Sequence, residues 1–123
     1  MRFALTLLFL MLLLPALPAL AEGDEAVPGE FGDCSPPESP AIPDGEKIDA
    51  AEMKQTVSAV KAFLKQGESY LACLTEVENS WGDEATKDQR KEVIRNHNAM
   101  VDAMQAAAER FNAELAKYQA RKK

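Results

Sequence analysis

The sequence predicts an all-α fold. Two long antiparallel helices, about 50–80 and 87–121, form a coiled-coil-like hairpin, and an extended proline-rich arm is clamped to the first helix by a disulfide. Three observations predict it. Hydrophobic residues between Met53 and Tyr118 recur at alternating spacings of three and four, the period of a helix seam rather than of a strand. One short stretch, SWGDEA, interrupts the repeat and leaves room only for a tight reversal. Two cysteines, Cys34 among prolines and Cys73 in the first helix, provide one crosslink.

The first element is MRFALTLLFLMLLLPALPALA. Arg2 forms a short positive region, Phe3 to Leu14 an apolar core, and Ala19-Leu20-Ala21 a small-x-small cleavage signal, so residues 1–21 read as a secretory signal peptide. An uncleaved anchor is the competing reading, since Phe3 to Ala21 holds no charge; Pro15 and Pro18 would break a spanning helix. Export makes a Cys34–Cys73 disulfide the natural state of the two thiols.

Residues 22–33 are acidic and glycine-containing and read as a flexible linker. Residues 34–48 form the arm, in which Pro36, Pro37, Pro40 and Pro43 forbid a helix and favour an extended chain. The hairpin then fills 49–123. Asp49 is a natural N-cap with Glu52 reaching back, and Thr86 with Gln89 makes a second capping box. Gly82 suits a helix C-terminus, and the closing ARKK puts positive charge where the helix dipole favours it.

The seam reads Met53, Val57, Val60, Leu64, Gly67, Leu71, Leu74 on the first helix. On the second it reads Ile94, His97, Val101, Met104, Ala108, Phe111, Leu115, Tyr118. Folding about 82–86 would set Leu74 against Ile94, Leu71 against His97, Gly67 against Val101 and Leu64 against Met104, with Glu78 facing Arg90. Because the repeat passes through Gly67 unbroken, close backbone packing is expected there. A second apolar row runs beside the seam on both helices: Phe63, Tyr70, Val77 and Val93, Met100, Ala107.

Two helices alone would leave that second row wet, and the disulfide indicates what covers it. From position 73 back to the helix start at Asp49 is roughly 36 Å at 1.5 Å per residue. The chain from Cys34 to Asp49 reaches about 46 Å in polyproline geometry. The arm is therefore expected to lie antiparallel along the first helix, with Ile42 and some prolines on the second row.

Composition narrows the function classes. The chain carries a net charge of −6, and loss of 1–21 removes Arg2 alone, leaving 13 basic against 20 acidic residues and a charge of −7. That surface disfavours nucleic acid and, once the signal is cleaved, membrane. No zinc pattern, C-x-x-C, haem-attachment motif or phosphate-binding glycine loop is present, and the single histidine leaves no serine or cysteine triad. The chain reads as a non-enzyme with no cofactor.

Two features carry competing readings. His97, Met100 and Met104 share one broad helical face, and imidazole with thioethers suits copper or haem iron. Methionines at helical spacing are more often core, which is the stronger reading here. On the outer side of the second helix, Ala99, Ala106, Ala113 and Ala120 recur every seven residues, as do Asn98, Gln105 and Asn112. Alanine and amides make a serviceable solvated face. The same uncharged stripe could instead admit a partner helix or a second copy, completing a four-helix bundle.

CSPPESPAIPDG, followed by YLACL in one helix and HNAMVDAM and FNAEL in the next, resembles a group of small exported proteobacterial proteins. They combine a Cys-Pro arm with IPDG, a YLxCL helix and an HNxxVxxM helix. The resemblance covers residue 34 to about 121. It implies a periplasmic helical hairpin with Cys34 paired to Cys73, and it assigns neither an activity nor a role for His97. The expectation is a periplasmic adaptor or chaperone-like interaction protein, engaging a protein partner or itself; the alternative is a periplasmic copper or haem binder.

Overall fold

The computed structural model describes residues 27–121, so the expected signal peptide, residues 22–26 and the last two lysines lie outside the described residues. Two helices, α1 (Ala50–Trp81) and α2 (Lys87–Arg121), pack together and are joined by one 3₁₀ turn, Gly82–Glu84. Among the described residues no helix is long and apolar enough to cross a membrane.

Local chemistry sets the helix ends. The Glu52 amide donates to Asp49 Oδ1 at 2.8 Å and the Asp49 amide donates to Glu52 Oε2 at 2.9 Å, a reciprocal box that satisfies two otherwise orphaned groups. Thr86 and Gln89 repeat it at the start of α2, at 2.9 and 3.1 Å. Gly82 ends α1 at φ 55°, ψ −134°, outside the helical left-handed well but in a region only glycine occupies easily. Arg90 donates to the Gly82 carbonyl at 3.2 Å, so the expected Glu78–Arg90 match is replaced by a cap on the turn.

The N-terminal segment forms a third layer. Cys34 and Cys73 are bonded, with Cα atoms 5.7 Å apart. From there the arm passes from α1, where Pro37 lies beside Gln66 and Ser69, onto α2, where Ile42 lies beside Ala103 and Ala107 and Gly45 against Glu114, and it delivers the chain to Asp49 with Ile42 and Ile48 buried. One core cluster gathers Cys34, Phe63, Tyr70, Leu74, Val93, Met100 and Ala107; a second, at the far end, gathers Ile48, Met53 and Tyr118.

This layer rotates the core away from the expected seam. The buried α1 positions include Phe63 and Tyr70, while Leu64 and Leu71 are only half-buried. On α2 the deepest residues are Met100 and Asn96, whereas Ile94 is 56% exposed and His97 is exposed. The reason is geometric. A two-helix seam has two open sides; the arm closes one, so burial is greatest where three layers meet. Ile94 and His97 lie toward the side that stays open.

Gly67 behaves as expected. α1 runs through it without a break, and a Cβ there would lie 2.8 Å from Met104 Sδ and 3.1 Å from Met100 Cε. Both methionines fill the space a side chain would take, although Met104 rather than Val101 is the close neighbour.

Within the expected linker, residues 27–33 make defined contacts with the rest of the fold. Phe31 and Cys34 exchange backbone hydrogen bonds at 3.0 and 2.9 Å around a two-residue turn in which Gly32 has φ 57°. The Phe31 ring packs edge-on against Trp81, with centroids 5.7 Å apart. Gly29 is held by both helices, its amide donating to Asn96 Oδ1 at 2.9 Å and its carbonyl accepting from the Tyr70 hydroxyl.

Candidate functional site

Residues 27–28 and 39–42 approach the same face of α2 from two directions and enclose a cleft of about 470 Å³. Its floor is Ala99, Ala103, Ala106 and Ala107; Val27, Pro28, Pro40 and Ile42 form apolar walls. Spacings of three and four place these alanines on one face, where their small side chains keep the floor low. Asp102 and Arg110 stand at the rim, roughly 12 Å apart along the helix at 1.5 Å per residue. Both are exposed, and neither has a hydrogen bond or ion pair among the described residues.

The cleft depends on the two anchors of the arm. At one end, Asn96 Oδ1 accepts from Gly29 and, at 3.3 Å, from Arg95 Nη2, which also pairs with Glu92. Burial pushes the Tyr70 hydroxyl pKa up, against an opposing pull from the Arg95 charge, so the phenol stays a neutral donor to Gly29. At the other end, the Gly45 amide donates to Glu114 Oε2 at 2.7 Å. That bond, followed by the one from Lys117, holds the Glu114 carboxyl below its ordinary range. Arg121 donates to the carbonyls of Gly45 at 3.2 Å and Ile48 at 2.8 Å while lying over the Tyr118 ring. The arginine expected to serve the helix dipole thus also fastens the arm.

Between these anchors the arm is held lightly. Residues 35–43 make no hydrogen bond to either helix, and five of the nine are proline or isoleucine seated by packing alone. The far side of this strap overlies the disulfide, in a polar hollow lined by Asp33, Ser35, Gln66 and Ser69.

The residues singled out from sequence fall into three groups. Cys34 and Cys73 meet as a disulfide. Met100 and Met104 meet at Gly67, but His97 is exposed while Met100 is fully buried, so the three do not share a cavity. Of the uncharged stripe, Ala106, Ala113, Ala120, Asn98, Gln105 and Asn112 are exposed, whereas Ala99 is 2% exposed and lies under the N-terminal segment. Ala99 therefore belongs to the arm's seat rather than to an outer face. Among the described residues, no three His, Cys, Asp or Glu side chains gather into a metal-holding group.

Asn96, Asp102, Arg110 and Gly45 went unrecognised in the sequence. Asn96 had a readable signal: it falls between Val93 and Met100 on the apolar row, where an amide must find a partner if buried. No family model, curated protein or solved structure matches the chain.

Replacing Tyr70 by Phe or Asn96 by Ala should each cost about 1–2 kcal/mol, because each removes one of the two hydrogen bonds that hold Gly29, one to its carbonyl and one from its amide. The double variant should cost less than the two together, since release of either bond frees the other. Urea unfolding of the three variants measures this, and strict additivity would show that the two bonds act independently.

Proposed function

We propose that the protein is an exported, non-catalytic interaction module of the periplasm, with the outer face of α2 beside the arm as its recognition surface. The cleft carries this reading. It is a half-open apolar trough with small floor residues and unpartnered charges of both signs at its rim. Such a trough suits a protein segment: apolar area supplies affinity, and the two charges fix register. Export is supported by the Ala19-Leu20-Ala21 signal and by a disulfide of the kind that persists in oxidising compartments. The competing copper or haem reading has less support, because its three candidate ligands lie in different environments, one exposed and one fully buried.

A photo-crosslinking residue placed at Ala106 in living cells tests the recognition surface, with exposed Ser58 on α1 as the control. The expected result is a discrete adduct from position 106 and none from 58. Equal labelling at both sites, or adducts at neither, would refute the assignment.

A further inference from the structure

We infer that the occupant of this surface is a second copy of the chain, with the two α2 helices packed antiparallel about a two-fold axis at Ala106; the inference rests on the recognition surface proposed above. An isologous contact requires a surface that complements itself, with each charge meeting its opposite when the helix is reversed. The face around Ala106 has this property. Asp102 lies four residues before Ala106 and Arg110 four residues after it, both exposed and unpartnered at the cleft rim. In the antiparallel pair, Asp102 of each copy faces Arg110 of the other, giving two symmetry-related ion pairs.

The next charges outward on this side of the helix are two self-contained ion pairs. Before Ala106 come Arg95 and its partner Glu92, 3.1 Å apart; after it come Glu114 and its partner Lys117, 3.0 Å apart. Reversal sets Arg95 level with Lys117 of the second copy, but each is neutralised by its own carboxylate, Glu92 and Glu114, one helical turn away, so this level adds no net charge to the contact. Glu109, also exposed, falls opposite Ala103 and meets no like charge. At the centre exposed Ala106 faces Ala106, so no bulky side chain holds the helices apart at the axis, and Ala113 of each copy meets Val27 and Pro28, the residues that cover Ala99 in the other. Val27, 74% exposed on the cleft wall, would be covered by the same contact. α2 is roughly 52 Å long from its 35 residues, which gives the contact ample length.

Charge exchange tests the pairing. Protein purified after expression of the full chain is examined by sedimentation equilibrium as wild type, D102R, R110D and an equal mixture of the two variants. Each single variant confronts two like-charged pairs across the axis, and its self-association is expected to weaken at least about 100-fold. The mixture is expected to regain a dimer of wild-type affinity, because a chain with arginine at 102 and 110 meets one with aspartate at both. Circular dichroism should match wild type throughout, since neither side chain supports the fold. A monomeric wild type, single variants that dimerise as well as wild type, or a mixture that stays monomeric would each overturn the inference. A monomeric wild type that still gives a specific adduct at position 106 would sink the second copy while leaving the recognition surface standing; no adduct would sink both.

Discussion

Replacing Cys34 and Cys73 by serine is expected to lower stability by about 4 kcal/mol, the chain-entropy value for a crosslink with a sequence separation of 39 residues. For a domain of this size that corresponds to a fall in melting temperature on the order of 20 °C. The loss should concentrate in the arm. Residues 35–43 have no hydrogen bond to the helices, so without the crosslink only Ile42, the prolines and the two end anchors hold them. Trp81 is the sole tryptophan and touches Phe31 edge-on, so its fluorescence reads arm docking directly. Thermal unfolding followed at once by tryptophan emission and far-ultraviolet circular dichroism should show emission changing first in the serine variant. Coincident transitions, or a melting point within a few degrees of wild type, would show that the arm docks without its clamp.

Gly45→Ala should do comparable damage without touching the covalent structure. A Cβ at Gly45 would lie 1.9 Å from the Glu114 carbonyl oxygen and 3.1 Å from the Tyr118 amide nitrogen. Both atoms belong to the backbone of α2 and cannot yield as a side-chain tip would. The arm must therefore lift, losing the Gly45–Glu114 bond and both Arg121 bonds, and exposing Ile48. Hydrogen bonds to charged groups contribute about 1.5–3 kcal/mol each, and partial relaxation should leave a net cost of roughly 3 kcal/mol. Denaturant unfolding measures the loss, and amide exchange should locate it at residues 44–48 with the disulfide intact. A variant as stable as wild type would mean that the arm has a second seat on α2.

Much of this molecule was legible in its sequence because the relevant forces are local. Both capping boxes followed from pairs three residues apart, and the reversal at 82–86 from a break in the hydrophobic repeat. The direction of the arm, from Cys73 back to the helix start, followed from two lengths, a helix rise and an extended-chain rise, together with one crosslink, whereas its seat on α2 at residues 39–45 did not. His97 shows where such reasoning fails. A seven-residue repeat marks which residues share a stripe but not how far a third layer will turn that stripe. Here the arm draws the core toward Tyr70 and Met100 and leaves His97 and Ile94 on the open side.

The candidate site was hidden for the same reason. Asp102 and Arg110 look like ordinary solvated charges, and Ala99 like part of an outer stripe, until residues 27–28 and 39–42 close on α2 from both sides. Gly45 has no left-handed backbone to betray it; its lack of a side chain matters only because the Glu114 peptide lies against it, 69 residues away in the chain. The sequence alone determined the helices, their ends, the turn and the crosslink that fixes the direction of the arm, because periodicity, capping and chain length act over a few residues or along a single path. Only the tertiary structure decided which face is buried, where the cleft opens and which charges border it. Those depend on how three layers share limited apolar surface, and no single segment carries that information.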